Sequence, residues 1–313
     1  MNKIFVLGSL NMDLIMCSDR LPLVGETLTG NQFAMVAGGK GANQAVAAAN
    51  MNANTVMLGS LGSDPLSSKL LDMLQQTGVD CTHVKTWENM HAGIASIWVI
   101  DGDNRIILDA GANAHHDLDA ITHVLETKGS SGDLLISQFE IPLDVVKHTL
   151  SVARRLNIRT LINPAPAVPL DDDIYPLIDT MVLNETETEI ICGHRPDDEQ
   201  STRDAAKSLL NKGVRDIIFT FGDKGATRID NAGETQTLCA HDVEVIDTTA
   251  AGDTFIGVYA AAIVEGSTPL KALTIANAAA ALSTTVLGAQ SSIPKRNDVV
   301  EFLERVSADE TDH

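Results

Sequence analysis

Residues 133–166 read "DLLISQFEIPLDVVKHTLSVARRLNIRTLINPAP". An apolar run, a helix-patterned segment and a second apolar run follow one another, which predicts strand, helix, strand. The alternation continues toward the C-terminus through "TMVLNETETEIICG" and "STRDAAKSLLNKGVRDIIFTFGDKGA". Toward the N-terminus, "KIFVLGSLNMDLI" reads as strand, turn and second strand, "GANQAVAAANMNA" as an alanine-rich helix, and "NTVMLGSLG" as a strand. "DPLSSKLLDMLQQTG" reads as a helix opened by Asp64-Pro65 and closed by Gly78. Strands and helices in turn predict an α/β fold, a mostly parallel sheet with helices on both faces.

Two stretches break the rhythm. "GETLTGNQFAMVAGG" and "AGIASIWVIDGDNRIILDAG" are extended and hairpin-like, the second with an Asp-Gly-Asp-Asn turn. They are too short to enclose a core of their own, so they are expected to form a small β lid, from segments at about 14–37 and 91–111, on a single domain spanning 1–313. Ile97 and Val99 need cover on the lid's outer side, and Trp98 reads as lid packing or a subunit contact. The tail "SADETDH" is expected to be disordered, and His115-His116-Asp117 to lie on the surface.

Composition limits the function. The net charge of -20, from 42 acids against 22 Lys+Arg, repels polyanions and argues against a nucleic-acid partner. No apolar run is long enough to cross a bilayer and the N-terminus turns polar too early for a signal peptide, so no membrane partner and a cytoplasmic location are expected. Cys17, Cys81, Cys192 and Cys239 are far apart, without the pairing of a structural zinc site.

Five short motifs carry candidate chemistry. "AGGKGANQA" is not a Walker A loop, because Lys40 is followed by Gly41 and the first glycine position holds Ala34. A plain turn needs neither Lys40 nor Asn43, so it reads as a ligand-binding turn. In "GSLNMDL", Asn11 and Asp13 are two apart at the C-terminal end of the first strand, on one face, an acceptor and a donor suited to vicinal hydroxyls; taken alone, an Asp/Asn turn explains them better. "NETE" is either a helix start capped by Asn184, or Asn184 and Glu187 offering oxygens to hydrated magnesium. "TFGDKG" is a strand end with a tight turn that could bring N–H groups to a phosphate. In "DTTAAGDTF", Ala250, Ala251 and Gly252 lack bulk, so their N–H groups could approach a phosphoryl oxygen while Asp253 accepts a hydroxyl proton; the bland alternative makes Asp253 an ordinary first-turn acid.

Taken in order with "NPAPA" and "GAQSSIP", these motifs closely resemble the ribokinase family of carbohydrate kinases, from about residue 3 to about residue 305. The resemblance implies a doubly wound domain with a β lid, a homodimer formed through the lids, and ATP-dependent phosphorylation of a sugar primary hydroxyl. It implies that Asn11, Asp13, Gly39, Lys40, Asn43 and Glu140 hold the sugar and that Asp253 is the base. Asn184, Thr220, Gly222, Gly225, Gly252 and Asn277 would lie along ATP, with Glu187 helping to place Mg²⁺; many members carry histidine where Asn277 stands. A potassium-type site would draw on Asp247 and Ser292, with carbonyls near Thr249, Ser283, Val286 and Gly288. D-ribose is the leading substrate and 2-deoxyribose the runner-up. A non-catalytic sugar-binding regulator is disfavoured because Gly252-Asp253 and Gly38-Gly39 are retained, and a dinucleotide oxidoreductase because no Gly-x-Gly-x-x-Gly follows the first strand.

Overall fold

The computed structural model describes residues 2–100 and 103–311. Eight strands form the main sheet, in the order β14 (Thr235–Leu238), β13 (Ala226–Asp230), β12 (Asp216–Thr220), β11 (Thr180–Asn184), β10 (Arg159–Ile162), β9 (Leu134–Ser137), β1 (Lys3–Leu7) and β4 (Asn54–Leu58). All neighbours from β12 to β4 pair in parallel, and β13 and β14 close one edge antiparallel. Alternation along the strands splits the core in two: Ile4 and Val6 face one side, Phe5 and Leu7 the other. Helices α1 (Lys40–Asn50), α2 (Pro65–Gln76), α7 (Ala251–Val264), α8 (Pro269–Ser283) and α9 (Arg296–Thr311) cover the first side. Helices α3 (Leu118–Lys128), α4 (Leu143–Arg155) and α6 (Glu199–Lys212) cover the second, and α5 (Glu185–Cys192) follows β11. The doubly wound α/β expectation holds.

Chain direction sets the ligand end. From β1 the chain winds outward to β4 and later returns to β9 on the other flank of β1, so order reverses between β1 and β9. Outside the C-terminal ends of those two strands lies the crevice where open α/β sheets bind ligands. Ser9 and Asn11 follow β1 and Gln138 and Glu140 follow β9, which brings them together there.

The remaining extended segments form a four-stranded sheet in the order β3 (Asn31–Gly38), β2 (Asn11–Cys17), β7 (Gly93–Ile100) and β8 (Asp103–Asp109). Asn11 and Asp13 therefore open β2 of this smaller sheet and do not end the first strand, but they share one face as expected. Asp101 and Gly102 of the anticipated turn lie outside the described residues, although β7 and β8 pair antiparallel on either side. "NTVMLGSLG" divides at Gly59 into β4 and β5 (Ser60–Gly62), and β5 pairs with β6 (Lys85–Trp87) in a separate two-stranded sheet. The C-terminal expectation also needs correction: α9 continues through Ser307 to Thr311, and Asp312 and His313 lie outside the described residues.

Helix α7 is buried nearly all round, so its hydrophobicity is not confined to one stripe. Gly257 lets it approach α1 closely, since a Cβ there would collide with the Gln44 carbonyl and crowd the Ala48 N at 2.9 Å. That crossing sets the distance between the "GANQA" and "AAGDTF" segments.

Candidate active site

Gly39 enters α1 at φ 90°, ψ 130°, and a Cβ there would stand 2.8 Å from the Asn11 N and 2.9 Å from the Ser9 carbonyl. Only glycine permits both the left-handed backbone and this approach. The tight turn places Lys40 over the crevice, where its backbone N–H donates to Glu140 Oε2 at 3.1 Å. The same oxygen accepts from the Ser9 hydroxyl at 2.5 Å and from Asn11 Nδ2 at 3.3 Å. Asn11 is oriented by buried Asn113, which donates to its Oδ1 at 2.8 Å and exchanges hydrogen bonds with the Leu10 backbone.

Asp253 lies in the first turn of α7, with 7% of its surface exposed. Its Oδ2 accepts from Asn43 Nδ2 at 3.0 Å and its Oδ1 from Gln44 Nε2 at 2.9 Å. Ala250 precedes the helix in the left-handed region, at φ 63°, and supplies no side-chain cap. Of the small-residue N–H groups expected to face a phosphoryl group, Ala251's donates to the Thr248 carbonyl at 3.2 Å instead, because the turn closes on itself. The Gly252 N–H has no partner among the described residues, and a Cβ at Gly252 would meet open space. An uncapped helix end with an unhindered N–H is an anion site in kind.

A cleft of about 210 Å³ joins these groups, with Lys40, Asp253, Gly252, Glu187, Asn184 and Thr220 on its walls. Lys40 is the cation among carboxylates: Asp253 above all raises its pKa, against the cost of burial, with help from Glu140 and Glu187. Burial pushes Glu187 upward. Burial is also the main reason that Asp13 rises to about 7, with Glu140 and Asp253 adding like-charge repulsion.

"NETE" proves to be a complete capping box: Asn184 Oδ1 accepts from the Glu187 N at 2.8 Å, and Glu187 Oε2 accepts from the Asn184 N at 2.9 Å. Both residues nevertheless face the cleft, so the cap fixes the Glu187 carboxylate where a hydrated cation beside phosphates would meet it. Asn163, from "NPAPA", lines the same cleft and donates to Glu187 Oε2 at 3.3 Å.

The other expected positions are more scattered. Gly222 and Gly225 form the turn after Thr220, where Gly222 faces open space and Gly225 packs against the Leu238–Ala240 backbone. Asn277 is buried on α8 and donates to the Cys239 carbonyl at 2.8 Å, away from the cleft walls. Asp247 ties two loops together, accepting from Thr249 N and Oγ1 at 2.9 and 2.6 Å and from the Gly288 N at 2.9 Å. Those hydrogen bonds hold its carboxyl below the usual range against burial, which fixes a negative charge between the two loops. Ser283 and Ser292 are buried there, each donating its hydroxyl to a carbonyl of its own turn, and Val286 is exposed. His116 departs from its surface assignment: both ring nitrogens are buried without a partner among the described residues, and burial lowers it to about 4.

Sequence reasoning did not single out Gln44, Gln138 or Asn113. Gln44 adjoins Asn43 inside the "GANQA" motif, but its spacing carries no sign of a partner 209 positions away.

Known proteins resemble the chain in sequence and in fold. The model of the pfkB family carbohydrate kinases matches residues 1–296. The chain belongs to that family. A ribokinase of Haemophilus influenzae is 39% identical over 300 residues, covering 96% of this chain and 97% of the relative. A deoxyribokinase of Salmonella typhi is 36% identical over 302 residues, covering 96% and 98%. The structure of Arabidopsis thaliana ribokinase complexed with ribose and ATP superposes with a TM-score of 0.89 at 29% identity, covering 97% of this chain and 99% of that one. This pfkB-family chain is thus a kinase, a phosphotransferase of the ribokinase-like fold.

The Asp13 shift has a thermodynamic consequence. A carboxyl raised above its unfolded value adds stability that is complete below about pH 4 and is lost as pH rises through about 7, because the folded state then holds a proton the unfolded chain has released. Asp13→Asn should remove that loss. Thermal denaturation is expected to show the variant more stable than the parent at pH 8.5, by on the order of 1–3 kcal/mol, with the gap closing at pH 4; a parent equally stable at both ends would contradict the burial argument.

Proposed function

We propose that this kinase transfers the γ-phosphoryl group of ATP to the primary 5-hydroxyl of D-ribose, giving D-ribose 5-phosphate and ADP. The observation that carries the reading is Asp253, a buried carboxylate beside the Gly252 N–H, which is unpaired among the described residues, and on the wall of the cleft that also holds Lys40. The H. influenzae relative and the Arabidopsis complex support ribose and ATP as the substrates. Asn11, Asp13, Gly39, Lys40, Asn43 and Glu140 surround the sugar. Asp253 takes the 5-hydroxyl proton as that oxygen attacks the phosphorus, and the Gly252 N–H, with the positive end of α7, stabilises charge on the phosphoryl oxygens. Asn184, Thr220, Gly222 and Gly225 border the nucleotide, while Asn277, bonded to the Cys239 carbonyl, stands back from the cleft. Mg²⁺, held near Glu187 through water, would supply charge neutralisation at the phosphates.

The reading places the chain in the cytoplasm as one kinase domain, with the four-stranded sheet as its lid. Among the described residues, no helix is long and apolar enough to cross a membrane. 2-Deoxyribose is the second reading, favoured by the Salmonella deoxyribokinase; the Asn11 amide, fixed by Asn113, favours ribose by offering a polar partner to a hydroxyl. ADP release across pentoses, hexoses and nucleosides decides between them, with D-ribose expected to give the highest kcat/KM. A preference for 2-deoxyribose would select the second reading, and bound sugar without ADP release would indicate a non-catalytic binder. Asp253→Asn should lower kcat by about 10²–10⁴-fold while calorimetry shows sugar binding retained.

A monovalent cation at Asp247 would order the loop that leads into Ala250. Activity should therefore fall when potassium is replaced by a bulky organic cation at equal ionic strength, and equal rates would refute the site. The lid supports a homodimer. Ile107 is 71% exposed and Phe33 60%, while Ile97 and Val99 are only partly covered on either side of exposed Trp98. Ile107→Asp should weaken self-association in sedimentation and raise the sugar KM together; a parent that is monomeric and fully active at assay concentration would overturn the coupling.

A further inference from the structure

We propose that Gln44 is a positioning residue that anchors Asp253 through Oδ1 and thereby makes Oδ2 the atom that accepts the substrate proton; the proposal rests on the reading of Asp253 as the base. Asp253 accepts one amide at each oxygen, but the two donors are held differently. Asn43 is tied to Asp253 through Nδ2 alone, and its own Oδ1 is buried without a partner among the described residues. An arriving hydroxyl can therefore draw the Asn43 amide away from Oδ2 at little cost, since no second bond is broken.

Gln44 has no such freedom. It is fully buried, donates from Nε2 to Asp253 Oδ1 at 2.9 Å, and accepts at Oε1 from Gln138 Nε2 at 2.7 Å. An ionised carboxylate only accepts, so the Gln44 amide must turn its NH₂ toward Asp253 and its oxygen toward Gln138, which must then donate. Gln138, also fully buried, follows β9 at the point where strand order reverses. A line of hydrogen bonds thus runs from α7 through α1 to the end of β9. The final torsion of an aspartate is broad when nothing fixes it. With Oδ1 pinned, the carboxylate plane is set and Oδ2 faces the position where Asn43 yields. In the reaction the substrate O–H bond breaks and its proton passes to Oδ2, the oxygen–phosphorus bond forms, and the bond from phosphorus to ADP breaks.

The test compares Gln44→Met and Gln138→Met, which keep volume but remove the amides, with Asp253→Asn, using D-ribose and MgATP. Gln44→Met is expected to fold and to lose roughly 10- to 100-fold in kcat, as for a misplaced reacting group, with the ribose KM changed by less than about threefold. Gln138→Met should lose less, in kcat again, and the double variant should be no worse than Gln44→Met alone. A folded Gln44→Met with near-parent kcat, a loss confined to KM, or full additivity of the two substitutions would each overturn the proposal. If Gln44→Met does not fold, Gln138→Met decides: a kcat loss at constant KM supports the anchor and an unchanged kcat removes it. Turnover surviving in Asp253→Asn would instead remove the base itself. An inactive Asp253→Asn beside normal glutamine variants would remove only the anchor.

Discussion

Burying the Asp253 carboxylate at the crossing of α1 and α7 costs solvation that only well-aimed donors can return. Both donors come from consecutive residues of α1, Asn43 and Gln44, so they reach the two oxygens only if the helices cross at one spacing and one axial register. Gly257 permits that spacing, because any side chain there would strike the α1 backbone. The Gly39 turn sets the register, because it starts α1 directly against Ser9 and Asn11. A hydrogen-bond requirement at one carboxylate thereby constrains helix packing, a glycine turn and the sheet edge together.

The same crevice gathers charge that the composition disguises. Against a net charge of -20, the site relies on Lys40, the Gly252 N–H and the end of α7, all local and all directed. Burial, with like-charge repulsion from Glu140 and Asp253 beside it, raises Asp13 to about 7. Glu140 is held in place by hydrogen bonds from Ser9, Asn11 and the Lys40 backbone.

Residues close in sequence were the legible ones. Strand and helix alternation from Leu134 to Gly225 foretold the sheet because parallel strands buried on both faces are apolar throughout. Asp64-Pro65 foretold the start of α2 because capping is local. Asn11 was assigned to the wrong strand: the turn at Gly8–Leu10 moves the chain from one sheet to another, and periodicity does not say which sheet a strand joins. His116 looked solvated because its neighbours are polar, yet both its ring nitrogens are buried. Gln44, Gln138 and Asn113 escaped for a related reason: an amide's role depends on which partner its two ends find, and those partners are 209, 94 and 102 positions away.

For "NETE" the structural and chemical readings are alternatives in the sequence, and the geometry makes them compatible. Asn184 and Glu187 cap α5 reciprocally, and that cap holds the Glu187 carboxylate on the cleft wall at a fixed height. Asp247 spends its oxygens on Thr249 and Gly288, and so holds its carboxylate between two loops that the Ile246 and Asp247 N–H groups also join through the Thr284 carbonyl. A carboxylate meant to meet a cation must be held still before the cation arrives, or part of the binding energy goes into ordering it. Local hydrogen bonds of the kind that mark helix starts and turns do that holding. A satisfied cap at Glu187 is therefore compatible with a ligand role for that carboxylate and gives no reason to discard it.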